Sequence, residues 1–276
     1  MIQLIVDSTF GLTDEYIQKN HIHVVSLNLI LDDKTTKEGG VDNWQEFYGR
    51  LEASKNFPKT SQPSPQDFVD AMNDIFEKNP DDQILVLTIA ESLSGTINSA
   101  ILASQSFEGK KVVVMDSKQA TVGSKVLCEA VVEKMQTGCT MDELVAFVEE
   151  TIQKVHLYFL PATMEYLKRG GRIGTLSATL ASVLSIKPIF SFKEGKISVS
   201  KKVLGFGKAL VDMIGLLPKE VKKIYVCYIH NTEHVSAMVE KVKQAFGLES
   251  VEVMPVGPVF GSHVGIGAVG IAALSF

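Results

Sequence analysis

The chain has 276 residues, 45% hydrophobic and 21% charged, the balance of an ordinary soluble globular protein with one large or two medium domains. Its formal net charge of −5 leaves no basic footprint for nucleic acid, and Cys128, Cys139 and Cys227 lie scattered with no CxxC pair, which fits a reducing cytosol better than a disulfide framework or a zinc knuckle. The N-terminus runs straight into a strand-like segment with no cleavable leader pattern, and Val264 to Leu274 is too short and Gly-rich to span a bilayer, so a cytoplasmic location is expected.

Ile2 to Val6 has the apolar run of a buried strand and ends at Asp7-Ser8-Thr9. Thr13 caps a short helix through Asn20, and Ile22 to Leu31 predicts a second strand. Asp42 or Asn43 precedes the helical spacing of Trp44, Phe47, Tyr48 and Leu51. The run from Pro58 to Pro65 is irregular at its prolines, and Ser64 as N-cap with Pro65 in the first helical position starts the next helix. Phe68, Met72, Ile75 and Phe76 mark its buried stripe.

Ile84 to Ala100 is the centre of the pattern. A buried strand (Ile84, Leu85, Val86, Leu87, Ile89) meets a small-residue turn, Glu91 to Thr96, and then a helix start. Ser94 suits the N-cap, Gly95 lets another group approach the backbone, and Thr96 adds a hydroxyl. Free N–H groups in the first helical turn attract an anion. Val112 to Met115 predicts another strand, ending at Asp116-Ser117, and a long helix runs on to Gly138. Thr140 and Glu143 have capping-box spacing and open a helix to about Lys154. Alternating strands and helices predict a three-layer α/β/α domain, residues 1–155, with a mostly parallel sheet whose polar strand ends form a binding rim.

From about Val155 the texture changes. Leu157 to Leu160 predicts a strand, followed by a short helix stopped at Gly170-Gly171 and another helix over Thr175 to Leu184. Ile189 to Phe192 and Lys196 to Val203 form a hairpin turned by Glu194-Gly195. A helix over Lys208 to Leu217, a strand over Ile224 to Ile229, a helix over Val235 to Phe246 and two last strands complete an α+β domain with a mixed sheet, residues 156–276.

Several motifs admit more than one chemistry. Gly265 to Gly270 spells GxGxxG, but only six residues follow it, so the dinucleotide reading fails and close packing remains. His230-Asn231-Thr232-Glu233-His234 matches HxxEH, yet His230 ends a strand and Asn231 is read as the helix cap, which leaves a solvated first turn and no expected metal site. Ser94, Asp116 and His263 stand in the chain order of an α/β-hydrolase triad, although position 92 is Ser where the nucleophile elbow has Gly. A serine acyl-hydrolase is therefore the alternative function. Lys168, Arg169, Arg172, Lys187, Lys193, Lys196, Lys201, Lys202 and Lys208 form a basic region that is either a solvated face or a dock for an acidic partner or anionic group. Within it, Arg172 follows two glycines and has the fork geometry that binds carboxylate or phosphate. His263 lies among glycines, read as a flexible turn between apolar runs.

Six segments in order carry a resemblance: Asp7-Ser8-Thr9, Thr60-Ser61-Gln62-Pro63-Ser64, Ser92-Leu93-Ser94-Gly95-Thr96, Asp116-Ser117, Gly170-Gly171-Arg172-Ile173 and Gly261-Ser262-His263-Val264-Gly265. Together they resemble the bacterial DegV family over almost the whole chain. The resemblance implies a two-domain protein that binds a long-chain fatty acid between its domains, with no other cofactor and no catalysis of its own. It implies presentation of the carboxylate to a separate fatty-acid kinase, which makes an acyl phosphate for phospholipid synthesis, with transient membrane contact. Thr60, Ser61, Ser94, Gly95 and Thr96 would hold the head group, faced by Arg172 and His263 from the second domain. Two positions depart from the family pattern: Leu204 where an Arg often follows the hairpin, and Ile266 where a Pro often lies in the glycine turn. The first bears on engagement of the kinase or the phosphorylated head group, the second on pocket shape near His263. Acyl length and oligomeric state, monomer or weak dimer, stay open.

Overall fold

Along Gln83–Thr88, Leu85 and Leu87 enter one core while Ile84 and Val86 enter another, so this strand is buried on both faces. Ile2–Asp7 repeats the division, with Leu4 and Val6 against Ile5. Such strands need helices on both sides of their sheet, and the chain provides them.

The structure, a computed structural model, describes residues 1–172 and 186–276. The strands in its first half are β1 (Ile2–Asp7), β2 (His23–Val25), β3 (Asn28–Leu31), β4 (Lys34–Lys37), β5 (Lys59–Ser61), β6 (Gln83–Thr88) and β7 (Val112–Asp116). Those in its second half are β8 (Val155–Leu160), β9 (Ile186–Lys193), β10 (Lys196–Leu204), β11 (Val221–Tyr228), β12 (Glu252–Pro255) and β13 (Val269–Ser275). The helices are α1 (Asp14–Lys19), α2 (Trp44–Ala53), α3 (Pro65–Lys78), α4 (Thr96–Ser104), α5 (Thr121–Met135) and α6 (Met141–Ile152). Four more follow: α7 (Glu165–Gly170), α8 (Phe206–Ile214), α9 (Val235–Phe246) and α10 (Pro258–Val264).

The first sheet has the order β2-β1-β6-β7, and every pair is parallel. Phe68, Met72 and Ile75 of α3, with Ala100 and Ala103 of α4, cover the face bearing Ile5 and Val86. Val126, Leu127 and Val131 of α5 fill the core on the other face, backed by Leu144 and Val148 of α6. The second sheet, β10-β9-β8-β13-β11-β12, is mixed: β11 and β12 are parallel and the other pairs antiparallel. Helices α8 and α9 cover one of its faces through Leu210, Met213, Met238 and Val242. Helix α5 also packs on β8, β11 and β13 of that sheet, which is why every residue from Thr121 to Val132 is buried. The architecture is thus α/β, with a three-layer parallel-sheet half and an α+β half with a mixed sheet. No helix among the described residues is long and apolar enough to cross a membrane.

Local signals set several of these elements. Ser64 and Asp67 close a capping box around Pro65, and Thr140 and Glu143 close another. Glu194 and Gly195 turn the β9–β10 hairpin with φ of 51° and 77°, the positive pair that a two-residue hairpin loop favours.

The structure corrects two expectations about the path of the chain. The single strand expected over Ile22 to Leu31 is two strands in two sheets. Between them, Leu27 is buried with its N–H on Ser8 Oγ and its carbonyl on the Glu38 N–H, which turns the chain out of the first sheet. It enters a small antiparallel sheet, β4-β3-β5, whose last strand carries Thr60 and Ser61. The turn expected around His263 is helix α10, started by Pro258 at its first position and ended at Gly265. The helix expected over Thr175 to Leu184 lies outside the described residues.

Candidate functional site

Four separate segments meet at one cavity of about 460 Å³. Thr60 and Ser61 come from β5, Ser94 and Gly95 from the turn between β6 and α4, Arg172 from beyond α7, and His263 from the last turn of α10. Leu27, Ile89, Leu167, Phe260 and Val264 supply apolar wall. The volume lies within the range of small-molecule sites.

His263 and Thr60 are joined directly, with Nε2 and Oγ1 2.7 Å apart. Burial, helped by the Arg172 charge, pushes the His263 ring down to about 4, so it is neutral at neutral pH. Its Nδ1 is buried and has no hydrogen-bond partner among the described residues. With the proton on Nε2 the ring donates to Thr60 and leaves a bare lone pair, whereas the other tautomer leaves a buried N–H unmet. The side that holds Nδ1 is crowded, since a Cβ on Gly170 would lie 2.6 Å from that atom. Arg172, exposed, donates from Nη1 to Gly170 O at 2.6 Å just past the left-handed Gly171 that ends α7. A neutral imidazole, hydroxyls and a nearby guanidinium suit the orientation of an anionic group.

Of the residues expected at the head group, all but Thr96 line the cavity. Thr96 is fully buried and holds Ser94 from behind, with the two hydroxyl oxygens 2.9 Å apart. Ser94 is also not the cap of α4. Gly95 takes that position and has no side chain to offer, and the Ser94 hydroxyl is engaged with Thr96. The first-turn N–H groups of α4 thereby lack a side-chain cap. Gly95 does admit a close neighbour, the amide of Gln62, which donates to Ser99 Oγ at 2.9 Å.

A hydrolase triad is not assembled. Ser94 bonds Thr96, His263 bonds Thr60, and Asp116 Oδ1 accepts from the Glu91 and Lys118 N–H groups at 3.2 and 2.8 Å. The described hydrogen bonds join none of the three to another. His230 and His234 also part company. His230 turns at positive φ to set its ring at a tilt against Tyr48 with Nδ1 2.9 Å from Gln45 Oε1. His234, not Asn231, stands at the N-cap position of α9, makes no side-chain cap bond and lies tilted against Phe206. Among the described residues, no group of three or more His, Cys, Asp or Glu side chains is placed to hold a metal. Gly270 packs against Cys227 and the Tyr158 carbonyl, in keeping with the packing role of the glycine run. In the basic region, Arg169 pairs with Glu165 at 3.0 Å and lies over Phe57, and Lys201 pairs with Asp212 at 3.1 Å. Leu204 is 67% exposed, and Ile266 packs at the edge of the main core.

Other contributors gave weaker signals. Gln62 lies within the Thr60 to Ser64 segment and lines the cavity, but nothing in its sequence position marks it as doing so. Ser92 Oγ donates to Gly195 O at the hairpin tip, and Ile197 of the same hairpin reaches the cavity wall. Asp7 is wholly buried, accepts from the Ile89 N–H at 2.6 Å, and is pushed up to about 6 by burial.

The family model described as "Uncharacterised protein, DegV family" matches residues 1–275. A DegV domain-containing protein from Clostridium acetobutylicum is 30% identical over 98% of this chain and 96% of its own length. A DegV family protein from Thermus thermophilus, whose structure is described as fatty acid binding, is 30% identical with a TM-score of 0.89, covering 100% of this chain and 99% of that one. A fatty acid binding DegV family protein from Streptococcus agalactiae is 26% identical with a TM-score of 0.91, covering 100% of this chain and 99% of that one. With a family match from end to end and a shared fold, the chain belongs to the DegV family.

Proposed function

We propose that this protein binds one long-chain fatty acid between an N-terminal domain, residues 1–155, and a C-terminal domain, residues 156–276, with the carboxylate among Thr60, Ser61, Ser94, Gly95, Arg172 and His263. The observation that carries the reading is the convergence of these polar groups with Leu27, Phe260 and Val264 on one cavity. The fatty-acid binding ascribed to the Thermus and Streptococcus relatives supports it.

The energetics are adequate. Burying an alkyl chain is worth about 0.8 kcal/mol per methylene, so about sixteen methylenes supply on the order of 10 kcal/mol before association costs. The head group then needs orientation and access more than tight grip. Hydroxyls, N–H groups and a neutral His263 provide that orientation without an activated nucleophile, and no group other than the fatty acid itself is needed as ligand.

The protein is a carrier with no catalysis of its own, which hands the exposed carboxylate to a separate cytoplasmic fatty-acid kinase for acyl-phosphate formation in phospholipid metabolism. The assembly is tested by mixing oleate-loaded protein with ATP and a fatty-acid kinase and trapping acyl phosphate with hydroxylamine. Hydroxamate is expected only when both proteins are present. Ser94→Ala and His263→Ala should lower both oleate affinity and hydroxamate yield. Hydroxamate from the kinase and oleate alone at an equal rate would remove the presenting role.

A further inference from the structure

Glu38 follows β4, a strand of mostly exposed lysines and threonines, yet its own side chain is 1% exposed. Its Oε2 accepts from Ser8 Oγ at 2.6 Å, and its Oε1 accepts from the Val259 N–H at 2.8 Å. The Glu38 N–H donates to Leu27 O at 2.8 Å, and the Leu27 N–H donates to Ser8 Oγ at 3.1 Å. One side of the carboxylate is therefore tied to the end of β1, and the other reaches a helix 221 residues away.

That helix is α10, and Val259 is its second residue. The first N–H groups of a helix have no partner inside it and ordinarily meet the side chain of the N-cap. Here the N-cap is Gly257, which has none, and a Cβ at that position would lie 2.7 Å from Glu38 Oε1. The Glu38 carboxylate occupies the place of a cap and brings negative charge to the positive end of the helix. Just before α10, Tyr48 OH donates to Val256 O at 2.7 Å. In its last turn, His263 meets Thr60. Side chains from the N-terminal half thus grip both ends of the short helix.

We infer that Glu38 is the N-terminal cap of α10, supplied from the opposite half of the chain, and that it is a positioning residue which sets where His263 stands against Thr60. Its consequence for ligand affinity rests on the fatty-acid reading; its consequence for the imidazole does not. Burial, with a contribution from the Asp7 charge, raises the Glu38 carboxyl to about 7. The titratable groups facing it are Asp7, raised to about 6, and the Tyr48 phenol, raised far above its ordinary range. Glu38 thus changes charge near neutrality, and a charged acceptor holds an N–H more strongly than a neutral one.

Nuclear magnetic resonance of protein labelled in its backbone amides and histidine rings tests this directly. In the wild type, the Val259 N–H and the His263 ring nitrogens should shift together as pH passes about 7, although the ring itself is neutral there. Glu38→Gln should abolish the step near 7 at both positions. Glu38→Ala should displace the His263 ring signals and weaken oleate binding by about tenfold or more, since it removes a charged acceptor from a buried N–H. Ring signals that stay still through neutrality in the wild type, or that move equally in Glu38→Gln, would overturn the inference. If Glu38→Ala does not fold, the comparison of wild type with Glu38→Gln decides the matter alone. Failure of the wild type to bind oleate would count against the fatty-acid reading, while the ring signals would still decide the role of Glu38.

Discussion

Gly170 lacks a side chain at a position where His263 presses against it. A methyl there would sit 2.6 Å from Nδ1, closer than such atoms can approach, so the imidazole would have to leave Thr60. Overpacking of this kind costs about 1–3 kcal/mol. Gly170→Ala is therefore expected to lower both the melting temperature and the affinity for oleate, measured by thermal unfolding and fluorescence titration. Unchanged affinity would mean that the ring is not held where the head group binds. His263 also shapes the acid limb of stability. Its folded value of about 4 lies below the ordinary 6.5, so the unfolded chain takes up this proton first, and stability is lost as pH falls from about 6.5 to about 4. Asp7 works in the opposite sense. Raised from 3.8 to about 6, it stabilises the fold below about 3.8, and that contribution is lost as pH rises through about 6. Urea unfolding of His263→Gln across this range should show the acid loss reduced and the Asp7 contribution retained.

At the scale of elements, the β9–β10 hairpin crosses from the mixed sheet to the turn after β6. Its tip is held by the bond from Ser92 Oγ to Gly195 O, and Ile197 behind the tip forms part of the cavity wall. Ser92→Ala should quicken amide exchange at residues 194–197 and speed oleate release by roughly twofold to tenfold, the weight of one hydrogen bond. Equal release rates would show that the hairpin does not restrain the ligand. Elements whose causes are local were legible from sequence. Ser64 with Pro65, Thr140 with Glu143, and the apolar spacing from Val235 to Phe246 each gave the observed helix start or span. Where the cause is distant, sequence reading failed. The break at Leu27 depends on Ser8, and the burial of Glu38 depends on Ser8 and Val259, 30 and 221 residues away. Helix α10 is hidden for another reason: Gly261 within it and Gly257 and Gly265 at its ends have the look of a turn, and Pro258 is the one local sign of a helix start.

Across the whole molecule, α5 is the shared wall: Val126, Leu127 and Val131 share a core with Leu4, Val6, Leu85 and Leu87 of the parallel sheet, and the same helix packs on β8, β11 and β13. Thr60, Ser61, Ser94 and Gly95 come from the half ahead of Val155, and Arg172 and His263 from the half after it. The polar grouping was legible mainly through the ordered motifs of the family resemblance, which bring in Thr60 and Ser61, while Ser94, Arg172 and His263 also stand out beside glycines. Its apolar walls were not, because Leu27, Leu167 and Phe260 look like any core residues until the halves meet. A ligand held from both sides should bind as one copy per chain and leave when the halves unfold. Native mass spectrometry of the purified protein, followed by denaturation, measures this directly. The expected result is a single added mass matching one long-chain fatty acid, present in the folded protein and absent from the unfolded one. A folded protein that keeps its bare mass even in excess oleate would contradict the assignment.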